Sequence, residues 1–127
     1  MITGTGIDLI ETARVAEKIA RDIGFLEYVF SPNEIAYCES KTNKAEHYAA
    51  RFAAKEALSK ALGTGIRNGF RWKESVIGKE YSGKPIMKLT GSMKTLADER
   101  IGGAYQIQVS LTHTKDVAEA MVIIEHL

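Results

Sequence analysis

The chain has 127 residues, 45% of them hydrophobic and 26% charged, the balance of a globular protein long enough to bury a core without disulfides or structural metals. Its net charge of +1 argues against a dedicated nucleic-acid partner, and its lone cysteine, Cys38, excludes an intrachain disulfide and a cysteine-rich zinc site. Apolar runs fall short of a membrane span, and Met1 to Leu9 lacks the features of a secretion signal, so a cytoplasmic protein without a membrane partner is expected. Length predicts one domain over residues 1–127.

In chain order, residues 2–8 read as a short strand containing Gly4 and Gly6. Thr12 is placed to cap a helix from about Ala13 to Asp22, ended by Ile23-Gly24. Ser31-Pro32-Asn33-Glu34 is a helix start, with Ser as N-cap, Pro at the first turn and Glu at the capping-box position, and that helix runs to about Glu39. After a polar connector, the spacing predicts a long helix from about Lys44 to Leu62, closed by Gly63. Residues 70–81 alternate loosely and predict a strand that turns at Ser82-Gly83-Lys84-Pro85 and returns over Ile86 to Leu89. Ser92 caps a predicted helix ending near Arg100, and the β-branched segments Tyr105 to Thr112 and Val117 to Glu125 predict a closing hairpin. The expected class is α+β: a mostly antiparallel sheet packed with a long central helix and two or three shorter ones.

The long helix carries the chemistry. Glu56 and Lys60 are four residues apart and share a face, as do Arg51 and Lys55, while Ala50, Ala54, Leu58, Ala61 and Leu62 form a stripe fit for a core. A carboxylate among cations suits a phosphate ester and a divalent ion, although Glu-x-x-x-Lys by itself is the pattern of a solvated ion pair. Asp8, after two glycines at a strand end, is either a second metal carboxylate or a turn cap. Gly63-Thr64-Gly65 is either only a helix C-cap, whose dipole does not attract phosphate, or a phosphate contact made by loop N–H groups in a nest or by nearby Lys60 and Arg67. Ser110 and Thr112 share a strand face beside His113, a cluster suited to phosphate or adenine or simply a polar turn, whereas His47 and His126 read as surface residues. Arg14, Lys18 and Arg21 make a basic stripe on the first helix with Phe25 just beyond, which is either a solvated face or a dock for an acidic helical partner.

Gly6-Ile7-Asp8 with Arg14 six residues on, then Arg51-Phe52-Ala53-Ala54-Lys55-Glu56-Ala57 through Lys60-Ala61, Gly63-Thr64-Gly65, Gly83-Lys84-Pro85 and Ser110-Leu111-Thr112-His113-Thr114 occur in this order over essentially the whole chain. Together they resemble the holo-acyl-carrier-protein synthases, the small homotrimeric type of 4′-phosphopantetheinyl transferase. The resemblance implies that superfamily's fold and transfer of phosphopantetheine from coenzyme A to a serine of apo-acyl-carrier protein, in support of fatty acid biosynthesis. It implies Asp8, Glu56 and Lys60 as catalytic residues. Asp8 and Glu56 would hold magnesium, or manganese in its place, against the coenzyme A pyrophosphate, and Lys60 would stabilise the leaving group. Gly63, Thr64, Gly65, Gly83, Lys84, Pro85, His113 and Thr114 would line the nucleotide end. Arg51, with the Lys41/Lys44 region, would meet the 3′-phosphate, and Lys55 and Lys60 are placed with the coenzyme contacts. Arg14, Lys18, Arg21 and Phe25 would receive the acidic carrier, and active sites would lie between neighbouring subunits of a homotrimer. The competing reading is a non-catalytic module that binds an acidic helical protein through the same basic stripe.

Overall fold

The computed structural model describes residues 1–67 and 69–127. Among them the elements run β1 (Ile2–Glu11), α1 (Thr12–Ala20), α2 (Phe25–Val29), α3 (Pro32–Glu39), α4 (Lys44–Leu62), a 3₁₀ turn (Trp72–Glu74), β2 (Ser75–Lys79), β3 (Pro85–Leu89), α5 (Gly91–Ile101), β4 (Tyr105–His113) and β5 (Val117–His126). The α+β expectation holds, with the strands divided into an antiparallel sheet ordered β1-β5-β4 and a separate β2–β3 hairpin.

Ala, Leu, Glu, Lys and Arg dominate α4, so propensity alone favours a helix there. Gly63 ends it at φ 75°, where the left-handed backbone suits glycine. The stripe expected to be core is buried, and Ala49, Ala53 and Ala57 are buried with it. The helix is therefore enclosed over much of its circumference, packed against β1 and β5 on one side and α1 and α3 on the other. The contact with β1 is backbone to backbone. A Cβ on Gly4 would strike the carbonyl oxygen of Ala61, and one on Gly6 that of Ala57. Glycine facing alanine is what lets the strand lie flat on the helix.

Asp8 pairs across the sheet with Ala120, Leu9 with Glu119 and Ile7 with Met121. Strand alternation turns Gly6, Asp8 and Ile10 toward α4 and leaves Ile7, Leu9 and Met121 on the outer face, where they are 56%, 62% and 43% exposed.

Several local expectations change. The first strand continues to Glu11, which replaces Thr12 at the N-cap without a side-chain bond. The Thr12 hydroxyl is buried and unpartnered, while its N–H donates to the Asp116 carbonyl at 2.9 Å. A fourth short helix, α2, spans only five residues, too few to register a period. The stretch expected as strand from residue 70 begins with the 3₁₀ turn. Thr90 rather than Ser92 is the N-cap of α5, and the carboxylate of Glu74 reaches in from outside to accept from Ser92 Oγ at 2.6 Å and Met93 N at 3.2 Å. The box at Ser31 is present as read, with Glu34 N donating to Ser31 Oγ and Ser31 N donating to Glu34 Oε1.

Candidate active site

The first cluster lies where α4 crosses the free edge of β1. Lys60 Nζ donates to the Ile7 carbonyl at 2.8 Å and to Asp8 Oδ1 at 3.0 Å. Its ion pair is thus with Asp8 and not with Glu56, the partner that helical spacing favours. The lysine is half exposed while the Asp8 side chain is 12% exposed, so the cation sits on the solvent side of a mostly covered carboxylate. Burial raises the Glu56 carboxyl above its ordinary pKa, and the neighbouring Asp8 charge raises it further against the pull of Lys60, Lys18 and Arg14. Two carboxylates on different elements therefore act on each other beside a lysine, and the basic stripe of α1 is within electrostatic reach. Asp8 is a strand residue directed at α4, not a turn cap. Glu119 joins Ile7, Asp8, Leu9 and Lys60 around the same shallow depression.

Asp8 and Glu56 fit a magnesium ion. Among the described residues no group of three or more His, Cys, Asp or Glu is arranged for a metal, and Asp8 with Glu56 is a pair of carboxylates only. That is the donor set of an ion that completes its shell with water and phosphate oxygen. Mutual repulsion between the two carboxylates is the chemistry a divalent cation relieves.

The second cluster is a cavity of about 190 Å³ lined by His47, Ala50, Arg51, Lys79, Gly83, Pro85, Leu111 and His113. Four positions expected on the nucleotide side, Arg51, Gly83, Pro85 and His113, thus converge from three separate segments. His113 Nδ1 lies 2.9 Å from Glu46 Oε1, and its ring stands edge-on to His47 with centroids 5.1 Å apart. Burial, then the charges of His113, Arg51, Lys41 and Lys79, lower the His47 pKa. Beside the cavity, Arg51, Lys41 and Lys79 gather over the Tyr37 ring at 4.3, 4.8 and 4.8 Å from its centroid. Burial alone would raise the Tyr37 phenol, but a Lys79 hydrogen bond and these three charges hold it below its ordinary value. Arg51 is 3% exposed and its Nε has no partner among the described residues. Converging cations around an incompletely satisfied guanidinium have the chemistry that would suit a phosphate.

Other positions fall outside this cavity. Gly63, Thr64 and Gly65 follow Lys60 at the end of α4, where the Thr64 hydroxyl donates to the Gly65 carbonyl at 2.8 Å. Lys84 is exposed at the β2–β3 turn. Thr114 accepts from Asp116 N and Val117 N at 3.3 Å each, a bond set that shapes the β4–β5 turn. The expectation that Lys55 touches the coenzyme is corrected. Its side chain has no exposure, and Nζ donates to Glu34 Oε1 at 2.8 Å and to the Val29 and Trp72 carbonyls at 2.9 Å each. All three ammonium hydrogens are therefore committed inside the protein.

Tyr37, His47 and Lys79 were not legible as site residues. His47 precedes Arg51 by one helical turn, which in retrospect puts both on one face of α4; Lys79 needed the hairpin register. His126 is partly exposed, and its Nε2 lies 2.7 Å from the Gly102 carbonyl.

Residues 4–119 match the family model of the 4′-phosphopantetheinyl transferase superfamily. The chain is 45% identical over 126 residues to the holo-[acyl-carrier-protein] synthase of Koribacter versatilis, covering 98% of this chain and 99% of that one. It is 46% identical over 125 residues to the synthase of Clostridium acetobutylicum, covering 98% of each. Among solved structures, the holo-[acyl-carrier-protein] synthase of Neisseria meningitidis superposes with a TM-score of 0.88 at 28% identity, covering 98% of this chain and 99% of that one. The Bacillus anthracis enzyme in complex with CoA (3′,5′-ADP) superposes at 0.81 with 31% identity, covering 100% and 99%. With Asp8, Glu56 and Lys60 assembled at one edge and these relatives matching end to end, the chain belongs to the 4′-phosphopantetheinyl transferase superfamily.

Proposed function

We propose that this chain is a holo-acyl-carrier-protein synthase, transferring 4′-phosphopantetheine from coenzyme A to a serine of apo-acyl-carrier protein. The serine oxygen forms a new bond to the phosphorus that bears the pantetheine arm and gives up its proton to solvent, while the pyrophosphate P–O bond breaks and adenosine 3′,5′-bisphosphate leaves with the bridging oxygen. The observation that carries this reading is the joining of Asp8, Glu56 and Lys60 from β1 and α4 into one charged edge. A non-catalytic module has no use for that edge, and the full-length relatives are named as synthases.

Asp8 and Glu56 would hold magnesium, which when bound supplies Lewis-acid polarisation of the pyrophosphate. Lys60, fixed by the Ile7 carbonyl, offers positive charge to the departing phosphate. The cavity of Arg51, His47, Lys79 and His113 receives the 3′-phosphate nucleotide, with Gly83 and Pro85 also in its lining. Lys84, Thr114 and the Gly63 to Gly65 loop border the path of the donor. Arg14 and Lys18 of α1 and Arg21 at its C-cap share a face with Glu17, which is ion-paired to Arg21, and Lys18 Nζ stands 5.8 Å from the Phe25 ring centroid. That pairing of cations with an aromatic suits an acidic, partly apolar carrier helix, and charge steering of this kind weakens with salt. Exposed Ile7, Leu9 and Met121 on one sheet face support assembly into a homotrimer. No helix among the described residues is long and apolar enough to cross a membrane, and we place the activity in the cytoplasm.

The test is intact-mass analysis of apo-acyl-carrier protein after incubation with this protein, coenzyme A and magnesium, beside an EDTA control. A gain of one phosphopantetheine unit that EDTA prevents is expected. No gain with a competent carrier would return the basic stripe to a role in binding alone.

A further inference from the structure

The most completely buried ionic group in the molecule belongs to neither charged cluster. Lys55 and the buried Glu34 meet at 2.8 Å with no side-chain exposure on either side. Their remaining bonds go to different segments. Lys55 Nζ donates to the carbonyls of Val29, at the end of α2, and Trp72, in the 3₁₀ turn. Glu34 Oε1 accepts from Ser31 N at 2.9 Å, and Oε2 accepts from Ile77 N at 3.0 Å in the middle of β2. One pair of side chains thereby ties α2, α3, α4, the 3₁₀ turn and β2 to a single point.

A buried pair of this kind is a poor device for stability, because desolvation consumes most of the Coulombic gain and an apolar pair of similar volume often does as well. Its bonds do, however, define where elements sit. Tyr37 lies one helical turn after Glu34 on α3, Lys79 lies two residues after Ile77 on β2, and Arg51 lies one turn before Lys55 on α4. Of these, Arg51 and Lys79 line the nucleotide cavity, and Tyr37 stands beside it with both cations over its ring. Contacts between α3 and β2 and between α4 and β2 are otherwise few. We propose that Lys55 and Glu34 are positioning residues that hold α3 and β2 in register on α4, and so set the geometry of the nucleotide cavity. The part of this inference that concerns coenzyme affinity rests on the reading of that cavity given above.

The test compares the wild type with the double variant K55M/E34L, which removes both charges and keeps apolar volume. The variant is expected to fold with a lowered melting temperature, because the Ser31 and Ile77 N–H groups and the Val29 and Trp72 carbonyls lose these partners. Its KM for coenzyme A is expected to rise at least tenfold while its KM for the carrier changes less than threefold. Amide hydrogen exchange over residues 75–79 is expected to quicken at least tenfold while the central turns of α4 stay protected. A folded variant with unchanged KM for coenzyme A, or with unchanged exchange in β2, would overturn the proposal. Should the variant fail to fold, the wild type decides: Ser31 and Ile77 amides exchanging as slowly as the core of α4 support the pin, and exchange at the rate of exposed loops removes it. A wild type that neither binds nor uses coenzyme A would refute the functional reading instead, and the exchange measurements would still judge the register role.

Discussion

Glu56 is a carboxylate in an unfavourable place, partly buried and facing a second carboxylate, Asp8. Its raised pKa means that the folded state binds this proton more tightly than the unfolded chain does. The resulting stability is present at low pH and is lost as pH rises from the ordinary glutamate value of 4.5 through the folded one. Glu56→Gln removes that penalty. The metal-free variant should melt above wild type at pH 7, with the difference vanishing near pH 4, as calorimetry at both pH values will show. Magnesium should raise the wild-type melting temperature by preferential binding to the folded state and leave the variant's unchanged. Turnover by Glu56→Gln should fall by about 100-fold or more if the carboxylate holds the ion. Lys60→Met should cost turnover more than coenzyme affinity, and a steady-state comparison of kcat with KM separates the two.

At the scale of elements, the contact that places Asp8 opposite Glu56 is the lie of β1 on α4. Gly6→Ala puts a methyl against the Ala57 carbonyl and within 2.9 Å of Ala61 N, so the strand must lift from the helix. The cost should be about 1–3 kcal/mol or more, read as a lower urea midpoint at unchanged slope, with turnover lost in the fraction that stays folded. Sequence pattern captured the elements that carry strong local signals. The Ser31 box and the Gly63 stop are set within a few residues of chain, and both occur as read. Thr12 and Ser92 carried the same kind of signal and failed, because the first strand extends through Glu11 and because Glu74, distant in sequence, caps α5. A local rule cannot anticipate a competitor from another element.

For the whole molecule, the outward Ile7, Leu9 and Met121 demand a cover. Light scattering should give a mass three times the 14.0 kDa of one chain. Leu9→Glu, which puts charge at the centre of that face, should yield a folded monomer that no longer transfers phosphopantetheine, if the site is shared between subunits. A monomeric wild type with full activity would remove the homotrimer from the account.

Helical period, capping and glycine placement were enough to read an α+β chain with a carboxylate-and-lysine face on its long helix, because those signals depend on neighbours a few residues apart. Family likeness then favoured the metal reading of Asp8 over a turn cap and the nucleotide side for Arg51 and His113. Tertiary structure alone decided that Lys60 pairs with Asp8 across 52 residues, that Tyr37, His47 and Lys79 gather beside Arg51, and that Lys55 turns inward to Glu34 and away from any ligand. Lys55 and Glu56 are adjacent in the chain and about 100° apart around the helix. That rotation buries one completely and leaves the other at the site, and nothing in the local sequence says which side the remainder of the fold will cover.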